Sequence, residues 1–183
     1  MEKSIYFLPG HGGRITNGLG QALEDRGFSV VGRETVGDFK KLNFSDQVNV
    51  IVTDVFSKFS NSDSQIVANS YGAYFLLHAL AQMKPFEGKV MLLSPIVGEF
   101  SNGEIRMGFI PPHFRRLLEI AMAGDFPVLN RCEIHVGSED WQSNPENVKQ
   151  FATLLGLKVN VVKDAGHSLP KGYVSAQLDR WLN

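Results

Sequence analysis

Gln65-Ile66-Val67-Ala68-Asn69-Ser70-Tyr71-Gly72-Ala73 is a short β-branched run that stops at a serine and passes at once into a helical pattern. Read physically, it is a buried strand turning sharply into a helix with Ser70 at the corner. Such a corner strains the backbone and lifts the hydroxyl clear of the chain. It needs small residues two before and two after the serine, so that strand and helix can approach. Those positions hold Ala68 and Gly72. Ala68 stands where a glycine is usual and is the least bulky alternative. A serine in a small-residue turn also arises by chance, so the meaning of Ser70 depends on the rest of the chain.

Upstream, Ile5-Tyr6-Phe7-Leu8 is an apolar run punctuated by Pro9-Gly10-His11-Gly12-Gly13, the pattern of a buried strand entering a glycine-rich loop. Leu19, Ala22 and Leu23 share one face of a following helix, with Thr16 or Asn17 as its cap and Gly27 as its stop. Phe28 to Gly32 reads as the second strand. Val48, Ile51, Val52, Val55, Phe56 and Phe59 form one stripe on a helix over Asp46 to Phe59, with Ser45 expected at its N-cap.

Downstream of Ser70, Ala73, Leu76, Leu77, Leu80 and Ala81 line the buried face of a helix, and Lys89 to Leu93 is a further strand. Ser94 to Pro127 is the least regular segment. Within it, Pro111-Pro112 precede a helical pattern over His113 to Ala123. Strand, helix and strand follow at Arg131 to Val136, Pro145 to Leu155 and Lys158 to Val162, and a closing helix at Tyr173 to Leu182. Strands apolar on both faces and alternating with helices imply an α/β fold. The expectation is a doubly wound, mostly parallel sheet of about six strands with helices on both faces. In such sheets a site lies at the carboxyl ends of the strands.

The totals limit the partners. A chain of 183 residues with 43% hydrophobic content suits a single domain around one core. The net charge of -1, with both signs interspersed, offers no basic stripe for a nucleic acid, so the expected partner is a small molecule. The single cysteine, Cys132, has no disulfide partner within the chain and reads as a buried inert thiol in a strand. His78, His113 and His135 lack the spacing of a metal site, and His78 is expected as a partly buried helix residue. Ile5 to Leu8 is too brief for a secretory core or a membrane span, which points to a soluble cytoplasmic protein with no membrane contact.

Two later loops give Ser70 its partners. The strand ending at Val136 runs into Gly137-Ser138-Glu139-Asp140, and the one ending near Val162 runs into Asp164-Ala165-Gly166-His167. A serine hydroxyl is a weak nucleophile until an imidazole takes its proton, and the imidazole in turn needs a carboxylate to hold its tautomer and orientation. Here the order along the chain is serine, acid, histidine.

Through A-N-S-Y-G at the corner, G-S-E-D, A-G-H and P-G-H-G-G, the sequence resembles the α/β-hydrolase superfamily, and within it the short serine hydrolases with little cap. The resemblance implies Ser70 as nucleophile, His167 as base and Asp140 as the orienting acid. The adjacent Glu139 has the same chemistry, and the G-x-x-D spacing favours Asp140. It also implies an oxyanion hole of backbone N–H groups, from Tyr71 and from either His11 or Gly13, with His11 favoured because Pro9 directly follows the strand. A short lid-like insertion at about 98–127 would lie over the site, with Phe109 and Ile110 as substrate contacts and Trp141 as a further pocket wall. No phosphate-cradling motif or metal spacing is present, so no cofactor is expected.

The implied activity is cleavage of a small carboxylic ester or thioester through an acyl-enzyme. The alternative is a hydrolase-fold protein that binds a ligand or partner without turnover. A flavodoxin-like binder would share the alternation of strands and helices but leave the serine, acid and histidine as coincidence.

Overall fold

Runs of branched and aromatic residues that can bury both faces become the interior of a parallel sheet. In a computed structural model that describes residues 3–183, these are β1 (Lys3–Leu8), β2 (Phe28–Gly32), β3 (Gln65–Asn69), β4 (Lys89–Leu93), β7 (Cys132–Gly137) and β8 (Val159–Val162). They form one six-stranded sheet in the order β2-β1-β3-β4-β7-β8, and every pairing is parallel. The expected doubly wound sheet is present. A separate antiparallel hairpin joins β5 (Phe100–Asn102) to β6 (Met107–Phe109), inside the segment whose sequence is least regular.

Alternate residues of each strand face opposite sides, so parity divides the core. Ile5, Phe7, Val67, Met91 and Leu93 pack with Leu23, Leu178 and Trp181, which come from α1 (Leu19–Glu24) and α7 (Lys171–Leu182). Tyr6, Leu8, Ile66, Ala68, Leu92 and Val136 pack on the other side. That side is covered by α3 (Phe44–Lys58), α4 (Tyr71–Leu80), α5 (Arg116–Ala123) and α6 (Pro145–Leu154). A short α2 (Gly37–Lys41), absent from the periodicity, precedes α3.

Helix starts differ from the sequence reading for local reasons. The residue before α1 is Gly18, at φ 55°, in place of a side-chain cap from Thr16 or Asn17. Asn43, not Ser45, caps α3 by accepting the Asp46 N–H, so that helix begins two residues early. His113 has φ 58°, outside the right-handed helical region, and α5 therefore begins at Arg116. Cys132 carries no disulfide; burial and the Glu133 charge push its thiol up to about 12, where it is unreactive.

From Gly72 to Leu80 every residue of α4 is buried, so this helix lies inside the molecule instead of presenting one apolar stripe. His78 is carried inside with it and is 5% exposed, more deeply buried than its sequence suggests, and among the described residues its Nε2 has no hydrogen-bond partner. Burial, and then the His113 and Arg116 charges, push its imidazole down to about 4 from an ordinary 6.5. The unfolded chain therefore takes up this proton at higher pH than the folded one. The contribution is fully present above pH 6.5 and is lost as pH falls toward 4. Replacing His78 by leucine should reduce the difference in unfolding free energy between pH 7 and pH 4.5 by about 2 kcal/mol. Urea titrations of both proteins at the two pH values would measure it, and an equal acid loss in each would refute it.

Candidate active site

Ser70 lies between the last residue of β3 and the first of α4, at φ 52° and ψ -119°. Positive φ is costly for a residue with a Cβ, so the surroundings must hold it. The Ser70 N–H donates to the Leu93 carbonyl at 2.9 Å, and its own carbonyl accepts from Ala73 N–H at 3.1 Å. Gly72 permits the tight approach: a Cβ there would lie 2.3 Å from the Leu8 carbonyl oxygen and 2.4 Å from that of Pro9. Ala68 is fully buried, in register with Leu8 on one side and Leu92 on the other, and its methyl is part of the core. The corner forms with alanine at that place.

The loops that follow β7 and β8 are laced together. Glu139 N–H donates to the Ala165 carbonyl and Asp164 N–H to Ser138 Oγ, both at 2.9 Å. Gly137 lets the two chains meet, since a Cβ there would lie 2.1 Å from the Ala165 oxygen. This lacing brings Asp140 to His167. The carboxylate, 1% exposed, stands 2.9 and 3.0 Å from His167 Nδ1 and also accepts the backbone N–H groups of Gln142 and Ser143. A carboxylate only accepts, so Nδ1 carries the imidazole proton and Nε2 is left as an acceptor. Ser70 Oγ lies 2.7 Å from that Nε2. Glu139, the sequence-level competitor of Asp140, points into solvent.

Backbone donors near Ser70 divide in the same decisive way. Gly13 N–H is committed to the Gly10 carbonyl and to Thr35 Oγ1, each at 2.9 Å, and the Thr35 hydroxyl in turn donates to the Gly10 carbonyl. Among the described residues, the N–H groups of His11 and Tyr71 have no acceptor.

Two cavities meet at Ser70. One, of 270 Å³, is walled by Tyr71, Ile96, Phe100, Met107, Phe109 and Trp141. Its rings touch one another, with Phe100 centred 5.8 Å from Phe109 and 5.7 Å from Trp141. Ile110, expected beside Phe109, is 65% exposed and is not part of this wall. Met107 and Phe109, two residues apart in β6, fall on the side of the strand that meets the pocket, and Ile110 lies beyond the strand's end. The other cavity, of 790 Å³, opens on the far side of Ser70 between α1 and α7 and includes His167, Leu19, Ala22, Leu169 and Val174.

Thr35, Phe100 and Ser143 were not legible as site residues. Ser143 is 1% exposed and donates to the Ser94 carbonyl at 2.6 Å, beside His167. Its only sequence signal is proximity to Asp140. Among the described residues, no group of three or more histidine, cysteine, aspartate or glutamate side chains is placed to hold a metal ion, and no helix is long and apolar enough to cross a membrane.

Fold and site together define a protein with the α/β-hydrolase fold. Mouse α/β-hydrolase domain-containing protein 10 is 13% identical to this chain, with a TM-score of 0.70 over 98% of it and 89% of the mouse chain. The Bacillus subtilis ydeN product aligns over 98% of both chains at 14% identity and a TM-score of 0.66. A structure from the study of carboxylesterases of the ammonia-oxidizing thaumarchaeon Nitrososphaera gargenis gives 13% identity and 0.63, over 99% of this chain and 90% of its own. No protein-family model matches the chain, and neither does any curated protein sequence.

Gly72→Ala should destabilise the protein by more than about 2 kcal/mol, since neither carbonyl it meets can move without disturbing β1. Ala68→Gly, which restores the usual small residue, should itself cost about 1 kcal/mol through lost strand order and packing. Chemical denaturation of both variants checks the pair, and a stabilising Ala68→Gly would mean that the methyl strains the corner.

Proposed function

We propose that the protein is a serine hydrolase that cleaves a small carboxylic ester or thioester through an acyl-enzyme. The observation that carries this reading is the continuous hydrogen-bonded line from the buried Asp140 through His167 to Ser70 Oγ, which sits on a strained corner beside a cavity.

The steps follow from the protons. His167 Nε2 takes the proton of Ser70 as Oγ attacks the acyl carbon, and Asp140 stabilises the imidazolium that forms. The N–H groups of Tyr71 and His11 receive the oxyanion, in the role for which free, preorganised donors are suited. The imidazolium then protonates the leaving oxygen or sulfur. Water, deprotonated by the same imidazole, releases the acid and restores Ser70. In this reading the segment 98–127 is a reduced lid that supplies the pocket wall, and no cofactor takes part.

A fluorophosphonate probe should label the wild type and not Ser70→Ala. Absence of labelling at every pH would leave a hydrolase-fold binding protein as the better account. With an ester substrate, Ser70→Ala or His167→Ala should lower kcat on the order of 10⁴-fold or more. Asp140→Asn should approach that loss, while Glu139→Gln should stay within about twofold of wild type. Comparable losses in those two variants would remove Asp140 from its assigned place.

A further inference from the structure

The two cavities that meet at Ser70 differ in the one respect that matters for orienting a substrate. We infer that they divide it at the scissile bond, with the acyl group in the aromatic hairpin pocket and the leaving group in the cleft between α1 and α7. The inference rests on the hydrolase reading above.

The tetrahedral carbon formed by attack has four directions, and three are assigned by chemistry. One is the new bond to Ser70 Oγ, and a second is the oxyanion, directed at the N–H groups of Tyr71 and His11. The third is the leaving atom. It must lie within hydrogen-bond reach of His167 Nε2, because the proton taken from Ser70 is delivered there as the bond from carbon to the leaving atom breaks with its electron pair. His167 borders the larger cleft and does not border the hairpin pocket. The fourth direction, that of the acyl carbon chain, is therefore left to the pocket of Tyr71, Phe100, Phe109 and Trp141. Atoms balance over the cycle: the leaving group departs with the proton of Ser70, water supplies the oxygen and proton of the acid, and its second proton returns to Ser70 Oγ through His167.

Size and polarity then define the substrate class. The hairpin pocket, at 270 Å³, lies below the usual range for sites that enclose a drug-sized ligand, whereas the cleft, at 790 Å³, lies well within it. The pocket wall is aromatic and aliphatic. Met107 and Phe109 remain 59% and 41% exposed, apolar surface that an acyl group would cover. The cleft mixes Leu19 and Val174 with Asn69, Gln142, Ser168 and Lys171, and among the described residues no acidic side chain borders it. The geometry points to an ester or thioester of a compact apolar acid with a larger, polar, neutral or anionic leaving group.

Two matched ester series test the assignment on the full chain. One holds a 4-methylumbelliferyl leaving group and lengthens the acyl chain from butanoyl to hexadecanoyl; the other holds butanoyl and enlarges the alcohol. Wild-type kcat/KM should fall at least about tenfold along the first series. Phe109→Ala should raise the hexadecanoyl-to-butanoyl ratio by about tenfold and move the leaving-group ratio by less than about twofold. Val174→Phe, or Ala22→Phe should that variant fail to fold, should lower the large-to-small leaving-group ratio by about tenfold and spare the acyl ratio. The opposite assignment, or equal shifts of both ratios in both variants, overturns the inference. Fluorophosphonate labelling separates the failures: a labelled protein with the crossed pattern loses only the orientation, and an unlabelled, inactive one loses the hydrolase reading with it.

Discussion

The close packing of α4 against the end of β1 is the constraint on which the rest depends. Gly72 lies where a Cβ would meet the Leu8 and Pro9 carbonyls, and Ser70 is held at positive φ by its bond to Leu93. Strain of about 1–3 kcal/mol at such a corner persists only when its surroundings over-determine it. Here they are β1, β3, β4 and a helix buried on all sides. The same contact that forces the serine outward also sets it against the loop after β1, where His11 lies.

Each remaining part of the site is tied by hydrogen bonds to a loop from elsewhere in the chain. Thr35, beyond β2, fastens Gly10 and Gly13, and among the described residues the His11 N–H between them has no acceptor. The loops after β7 and β8 bond to one another and seat Asp140 beneath His167. Ser143 ties the acid loop to Ser94, the residue that follows β4. A network of this kind holds Ser70, His167 and Asp140 within hydrogen-bond distance of one another with short loops.

The structural relatives share the fold at 13 to 14% identity over nearly the whole chain. That divergence is what a parallel α/β sheet tolerates, because hydrophobic residues of suitable size and periodicity suffice for its core. The least regular part of this chain is the segment between β4 and β7. Its small hairpin places aromatic residues beside Ser70 and leaves part of their surface open.

The strands were legible because burial on both faces demands unbroken branched and aromatic runs, and Phe28–Gly32, Gln65–Asn69 and Lys89–Leu93 begin and end where their composition changes. The candidate serine, histidine and acid loop were legible for a related reason: they fall at the carboxyl ends of those strands. What the sequence left open was any choice between neighbours of like chemistry. Asn43 and Ser45 cap helices equally well, Glu139 and Asp140 carry the same group, and His11 and Gly13 offer the same N–H. The tertiary structure separates these neighbours: Asn43 accepts the Asp46 N–H, Asp140 and not Glu139 faces His167, and Phe109 lines the pocket while Ile110 does not. For the two loop pairs the reason is a partner distant in the chain, Ala165 bonding the Glu139 backbone and Thr35 occupying Gly13. For Ser70 the sequence determined the residue at the corner and the histidine that answers it, and the fold decided which carboxylate and which cavities stand around them.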